Sequence, residues 1–248
     1  MSRQFGSRII RPSLPLTLLT LAVLTLLVSL GRWQLQRAGE KQRLFDAFAA
    51  GGSATQPLTG TTPSLPLYQH VASRGHYDPD HHVLIDNMTS SDGRAGYYVI
   101  TPFSIDGGGW LLVNRGWVPL GISRQVLPDV SVPATPREVR GRTDHLPVPG
   151  IRMGTPAPLA APFPAVATYP APGELATLLG IAQFAPATEA LLLDPAEPDG
   201  YSRQWSPPGL TPMRHLAYAV QWFGLALTLV VIYVVTNLRR APLATGGA

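Results

Sequence analysis

HLAYAVQWFGLALTLVVIYVV, running from His215 to Val235, leaves the chain little choice of solvent. Between Leu216 and Thr236 there are 21 residues without a formal charge; as an α-helix they would be about 32 Å long, close to the hydrocarbon thickness of a bilayer. The segment is expected to span a membrane. Its first two turns are unusual, because His215, Tyr218, Gln221 and Trp222 precede the plain aliphatic part. On a helix His215, Tyr218, Ala219, Trp222, Ala226 and Leu229 share one stripe, with imidazole, phenol and indole at one end. An aromatic belt at the membrane surface, with His215 snorkelling, is one account of that stripe. A metal-ligand face is the other, since a neutral imidazole is a competent iron ligand and flat aromatic neighbours would wall a porphyrin.

A second apolar run, Leu14 to Leu30, has 17 residues and a proline near its start. That length is at the lower limit for a span and also fits a signal-peptide core. Ser29 and Gly31 offer only a weak match to the small residues that signal peptidase prefers, so an uncleaved anchor is expected. Trp33 suits the headgroup belt that ends a span.

Charge gives an orientation. Of 19 basic residues, Arg3, Arg8, Arg11, Arg239 and Arg240 lie outside the two runs, whereas all 15 acids lie between them. Both ends should therefore be cytoplasmic and the middle exported, although Arg32, Arg37, Lys41 and Arg43 pull the other way. The basic balance is a topology signal and gives no warrant for nucleic-acid binding. A single lysine against 18 arginines fits a GC-rich bacterial genome, and no Arg/Ser-rich transit segment precedes the first run. A multi-pass protein of a bacterial cytoplasmic (inner) membrane is expected, with its central domain in the periplasm or outside and with membrane lipid as solvent. The organisation is a cytoplasmic N-terminus (1–13), a first transmembrane helix (14–34), a helix leading out of the membrane (35–52), an exported β domain (53–210), a second transmembrane helix (215–238) and a cytoplasmic C-terminus (239–248).

Within the middle, Trp33, Arg37, Lys41 and Leu44 recur at helical spacing and Gly51-Gly52 supplies a stop. Residues 53–66 read as linker or loop. From Leu67 the pattern turns to β: YQHVASRGHY, HVLIDN, GYYVITPFSI and GWLLVNRGWVP are rich in Val, Ile, Tyr and Trp, and Asp-Pro-Asp, Ser-Ser-Asp-Gly-Arg and Asp-Gly-Gly-Gly between them are turn chemistry. A further strand is expected over Arg137 to His145, a short helix over Glu174 to Ile181, and a last strand over Ala190 to Leu193. The fold class is two transmembrane helices flanking an exported, mainly antiparallel β domain, barrel-like or sandwich-like, with short helices.

Absence of cysteine excludes disulfides, a thiolate nucleophile and a Cys-X-X-Cys site, and four scattered methionines leave copper transfer without its usual soft ligands. GHYDPDHHVLID crowds His76, Asp78, Asp80, His81 and His82 together, but neighbouring residues on a strand face opposite ways, so His81 and His82 cannot share an ion; a solvated hairpin tip is expected. In LLVNRGWVP, Asn114, Arg115, Gly116 and Trp117 form either a partner contact or a structural motif, with Gly116 permitting a bulge and Trp117 capping the core. There is no nucleophile elbow, dinucleotide fingerprint or phosphate loop, and no enzyme is expected.

GRWQLQRAGEK, YQHVASRGHY with VLIDN, GYYVITPF, LLVNRGWVP and HLAYAVQWFGLA, in this order, resemble the surfeit-locus protein one family of cytochrome c oxidase assembly factors. The resemblance covers nearly the whole chain. It implies an assembly factor, not an enzyme, that binds haem a transiently and helps its insertion into the largest subunit of a haem-copper oxidase, with haem a synthase as a further partner. It also implies a haem site at His215, which would ligate the iron, and Trp222, with Tyr218 on the same stripe. The Asn114 to Trp117 motif matches the family as well, without implying a chemistry for it. A cofactor-free scaffold that stabilises the nascent oxidase subunit is the alternative, its small residues Ala219 and Ala226 allowing a partner helix to approach. The stretch 147–172 is unusually rich in proline and alanine, so no partner contact is carried over there.

Overall fold

The computed structural model describes residues 3–5, 8–10, 13–51, 54–121, 123–148 and 159–240. The helix stop at Gly52, the middle of the proline-rich stretch (149–158) and the tail 241–248 lie outside them. In chain order the elements are β1 (Arg3–Phe5), β2 (Arg8–Ile10), α1 (Leu14–Ala50), β3 (Gln56–Pro57), β4 (His70–Tyr77), β5 (Val83–Thr89), β6 (Ala95–Ile105), β7 (Trp110–Pro119), β8 (Arg137–Asp144), β9 (Ala165–Ala167), α2 (Pro172–Leu179), β10 (Ala190–Leu193), α3 (Pro212–Asn237) and β11 (Leu238–Arg240). They form two compact units, Met1–Phe45 with Pro208–Ala248, and Asp46–Pro207.

The first unit is an antiparallel pair of apolar helices. Thr17 Oγ1 lies 2.7 Å from Tyr233 Oη and Gln34 Oε1 lies 2.7 Å from His215 Nδ1, so positions rise along α1 as they fall along α3. The buried residues are Gly31, Gln34 and Ala38 on one helix and His215, Ala219, Ala226 and Asn237 on the other. Small side chains seven residues apart, Gly31 with Ala38 and Ala219 with Ala226, bring the helices close, as small residues do between helices in lipid. Away from this seam Leu18, Leu19, Leu26, Val220, Leu227 and Ile232 are exposed, an outward apolar surface that water would penalise and a bilayer would not. Both helices are long and apolar enough to cross a membrane, and the chain is a membrane protein. α1 runs without a break through the stretch expected to span and the helix expected to follow it, because Leu, Ala, Gln, Arg and Glu are good helix formers on both sides of Gly31. Beyond the helix ends β11 pairs antiparallel with β2, which pairs with β1, so the backbone at both ends of the chain meets at one end of the pair.

The second unit is a closed ring. β4 pairs with β8, β8 with β10, β10 with β7, β7 with β6, and β6 returns to β4. Closure works because β6 is long: Ala95 to Ile100 bind β5, and Phe103 to Ile105, along the same edge, bind β4. Val71, Tyr77, Phe103, Val113, Val139 and Leu191 alternate inward from all five ring strands and fill the interior. The fold is thus a barrel with mixed pairing. Most pairs are antiparallel, but β10 runs parallel to β7, β9 to β5 and β3 to β4. β3 and β9 lie in segments expected to be irregular. The second helix of the chain, α2, starts two residues before its expected first position, with Glu174 Oε2 accepting from the Ala171 amide 2.8 Å away. Its Leu175 is fully buried against Ile85, Leu112 and Trp117 on the outer face of the sheet, which is why β7 is buried on both faces.

Candidate functional site

His215 sits in the first turn of α3, four residues after Thr211, whose carbonyl accepts its backbone N–H. Its side chain is only 6% exposed. The imidazole is therefore tucked against α1 and is not the freely exposed group that a bare stripe on α3 would suggest. Nδ1 is bonded to Gln34 Oε1, and Nε2 makes no hydrogen bond among the described residues. Two turns along, Trp222 is half-buried and its Nε1 is enclosed without a partner among the described residues. Ala219 and Ala226 are buried beside it, and Leu229 is partly covered. Tyr218, by contrast, is 43% exposed and stands off the seam. The fold therefore brings His215 and Trp222 to one face and leaves Tyr218 outside it. Gln34, absent from the sequence reading, is the missing member: a buried amide between Gly31 and Ala38 on the interior stripe of α1. The signal that finds it is a polar residue flanked at three and four positions by small ones.

The second set of singled-out residues clusters in the barrel wall. Tyr98 pairs with Trp117 and Ile100 with Asn114, so Arg115 and Gly116 together oppose the single residue Val99. This is the bulge, and Gly116 carries it at φ 114°. Asn114 Oδ1 accepts the Gly116 amide across 3.1 Å and steadies the kink. A Cβ at Gly116 would lie 2.8 Å from the Ser202 carbonyl, because Tyr201 and Ser202 run alongside: the Tyr201 amide bonds Arg115 O at 2.7 Å and the Trp117 amide bonds Ser202 O at 2.8 Å.

Arg115 is 2% exposed and forms no ion pair with a carboxylate among the described residues. Its guanidinium donates to the carbonyls of Asp199, Val130 and Ser131 and to Thr101 Oγ1, and lies over the rings of Tyr77 and Tyr201. Burial lowers its pKa, while burial pushes the Tyr77 phenol up to about 12. Trp117 is buried, donates Nε1–H to Met88 O and carries Arg94 over its ring. The motif is a clamp that ties the bulged strand to the segments 130–131 and 199–202.

The crowded histidines part, although both lie just before β5 and not on it. His81 is half-buried with Nδ1 2.8 Å from Asp78 Oδ2, whereas His82 is 5% exposed with Nδ1 3.0 Å from Thr101 Oγ1 and Nε2 enclosed without a partner. The tip is thus solvated at His81 and buried at His82.

The model of the SURF1 family matches residues 21–227. The chain belongs to the SURF1 family. It is 30% identical to a SURF1-like protein of Rickettsia felis, over 88% of this chain and 95% of that one, and 28% identical to one of Rickettsia conorii, over 87% and 88% of the two. A surfeit locus protein 1 of Xenopus tropicalis is 34% identical over 110 residues, 36% of its length. The SURF1 family match starts within α1, takes in the whole barrel and ends within α3, so it contains both Gln34 and His215 and the entire Arg115 clamp.

Proposed function

We propose that the protein is an assembly factor for a haem-copper cytochrome c oxidase. It holds haem a at the α1–α3 seam, and hands it to the largest oxidase subunit without catalysis. The observation that carries this reading is His215: an imidazole fixed through Nδ1 whose Nε2 has no hydrogen-bond partner among the described residues. Such an arrangement is that of metal-binding histidines, which give one ring nitrogen to the protein and the other to the ion. Trp222 fits the same group. A buried donor without an acceptor costs about 1–3 kcal/mol, a cost that an oxygen at the edge of a porphyrin would remove. His215 and Trp222 would hold the group; haem a would supply an iron for the imidazole and a hydrophobic tail for which lipid is the solvent.

In this proposal the protein lies in a bacterial cytoplasmic membrane with both ends inside and the barrel outside. The arginines at the two ends and the pairing of β11 with β2 support it. Protein co-produced with a haem a synthase should show a bound-haem absorption band that His215→Ala abolishes. Haem content unchanged by that substitution rejects the assignment.

The low exposure of His215 favours one other reading, a cofactor-free scaffold for the nascent subunit. Purified protein that lacks haem under haem a supply and still captures the largest oxidase subunit would support it.

A further inference from the structure

We infer that Gln34 is the positioning residue for His215, acting through the neutral ring's tautomer. Gln34 is 9% exposed and His215 6% exposed, so their 2.7 Å contact is sheltered from competing water. With Oε1 facing the ring, the amide accepts and Nδ1 must carry the proton. That leaves the lone pair on Nε2, the atom without a hydrogen-bond partner among the described residues. The geometry of α1 enforces the choice: Gly31 and Ala38, one turn to either side, let α3 approach until the amide reaches the imidazole. A free histidine prefers the opposite tautomer, with the proton on Nε2, which would block ligation at that atom.

The consequence for the haem site rests on the function proposed above, but the tautomer does not. Gln34 would select which nitrogen meets an iron and hold the ring plane. Loss of a partner of this kind typically weakens metal binding about ten- to a hundredfold.

The test uses the full chain in detergent micelles, without haem, labelled with ¹⁵N-histidine and assigned by subtraction against His215→Ala. In the unaltered protein the neutral His215 ring should carry its proton on Nδ1. Gln34→Leu, which keeps volume and removes the acceptor, should move the population to the Nε2–H form; Gln34→Glu, which keeps an acceptor, should restore Nδ1–H. An Nε2–H ring in the unaltered protein would mean that the amide donates, and overturns the inference. So does a tautomer indifferent to Gln34→Leu while the helix pair stays intact by its circular dichroism.

A second arm, haem retention in the same variants, separates the two ideas. Haem loss about tenfold faster in Gln34→Leu supports the positioning role. Haem that persists in His215→Ala sinks the haem reading and leaves the tautomer result standing.

Discussion

The ring of Phe223 lies over Gly31 so closely that a β-carbon there would fall 2.7 Å from two ring carbons. The two residues meet across the helix seam, with Gly31 one turn from Gln34, whose contact with His215 marks that end of the pair. Gly31→Ala should push the helices apart and cost roughly 1–3 kcal/mol. The cost should fall when Phe223→Leu is added to open the space. Thermal unfolding in detergent, run as a double-mutant cycle, measures the coupling, and additive effects would show that the ring is elsewhere.

Gly116→Ala should damage the barrel more than a surface change could. The new methyl would meet the Ser202 carbonyl at 2.8 Å, on a backbone at φ 114° that L-residues rarely adopt. Strain and clash together predict a loss on the order of 2 kcal/mol or more. Urea unfolding followed by tryptophan fluorescence reads it, and a midpoint unchanged from the parent would contradict the bulge.

Arg115→Lys should not rescue Arg115→Met. A lysine offers a point charge where the fold needs a fork aimed at Val130 O, Ser131 O and Asp199 O. Both variants leave the buried Val130 carbonyl and two half-buried ones without their donor, a loss of roughly 3 kcal/mol or more. Limited proteolysis should cut near residues 123–131 and 194–203 before it cuts the barrel strands.

His82 makes the barrel sensitive to acid. Burial, and then the nearby Arg115 charge, lower its pKa below the ordinary 6.5. The folded state therefore holds the ring neutral while the unfolded chain takes up a proton, and stability is lost as pH falls below about 6.5 toward the depressed value. His82→Asn should flatten that part of the stability curve. Equal slopes for parent and variant between neutral and mildly acidic pH would rule the linkage out.

Much of this was legible from residues. β4 through β8 announce themselves by alternation and by Asp-Gly or Asp-Pro turns, and β10 by four apolar residues that the core takes in entirely. Closure was not legible, because nothing local in Ala190 to Leu193 says that it will lie parallel to β7, dozens of residues upstream. β3 and β9 are too short and too rich in Pro and Ala to carry a pattern. At the helix pair the stripe containing His215, Ala219 and Trp222 could be drawn from periodicity. What covers it could not, since the Gly31–Gln34–Ala38 face of α1 has no large apolar side chain to mark it as the buried one. Arg115 showed the converse limit: a charged residue in an apolar strand marks something, but its acceptors are carbonyls, which no side-chain pattern reveals.

Because β10 arrives last and fills the gap between β7 and β8, the ring cannot shut until nearly the whole middle segment has emerged from the ribosome. A message cut short before Ala190 would yield no smaller barrel. It would yield an open sheet with two raw edges, the shape most prone to stick to its neighbours, and a premature stop there should clear the polypeptide by degradation.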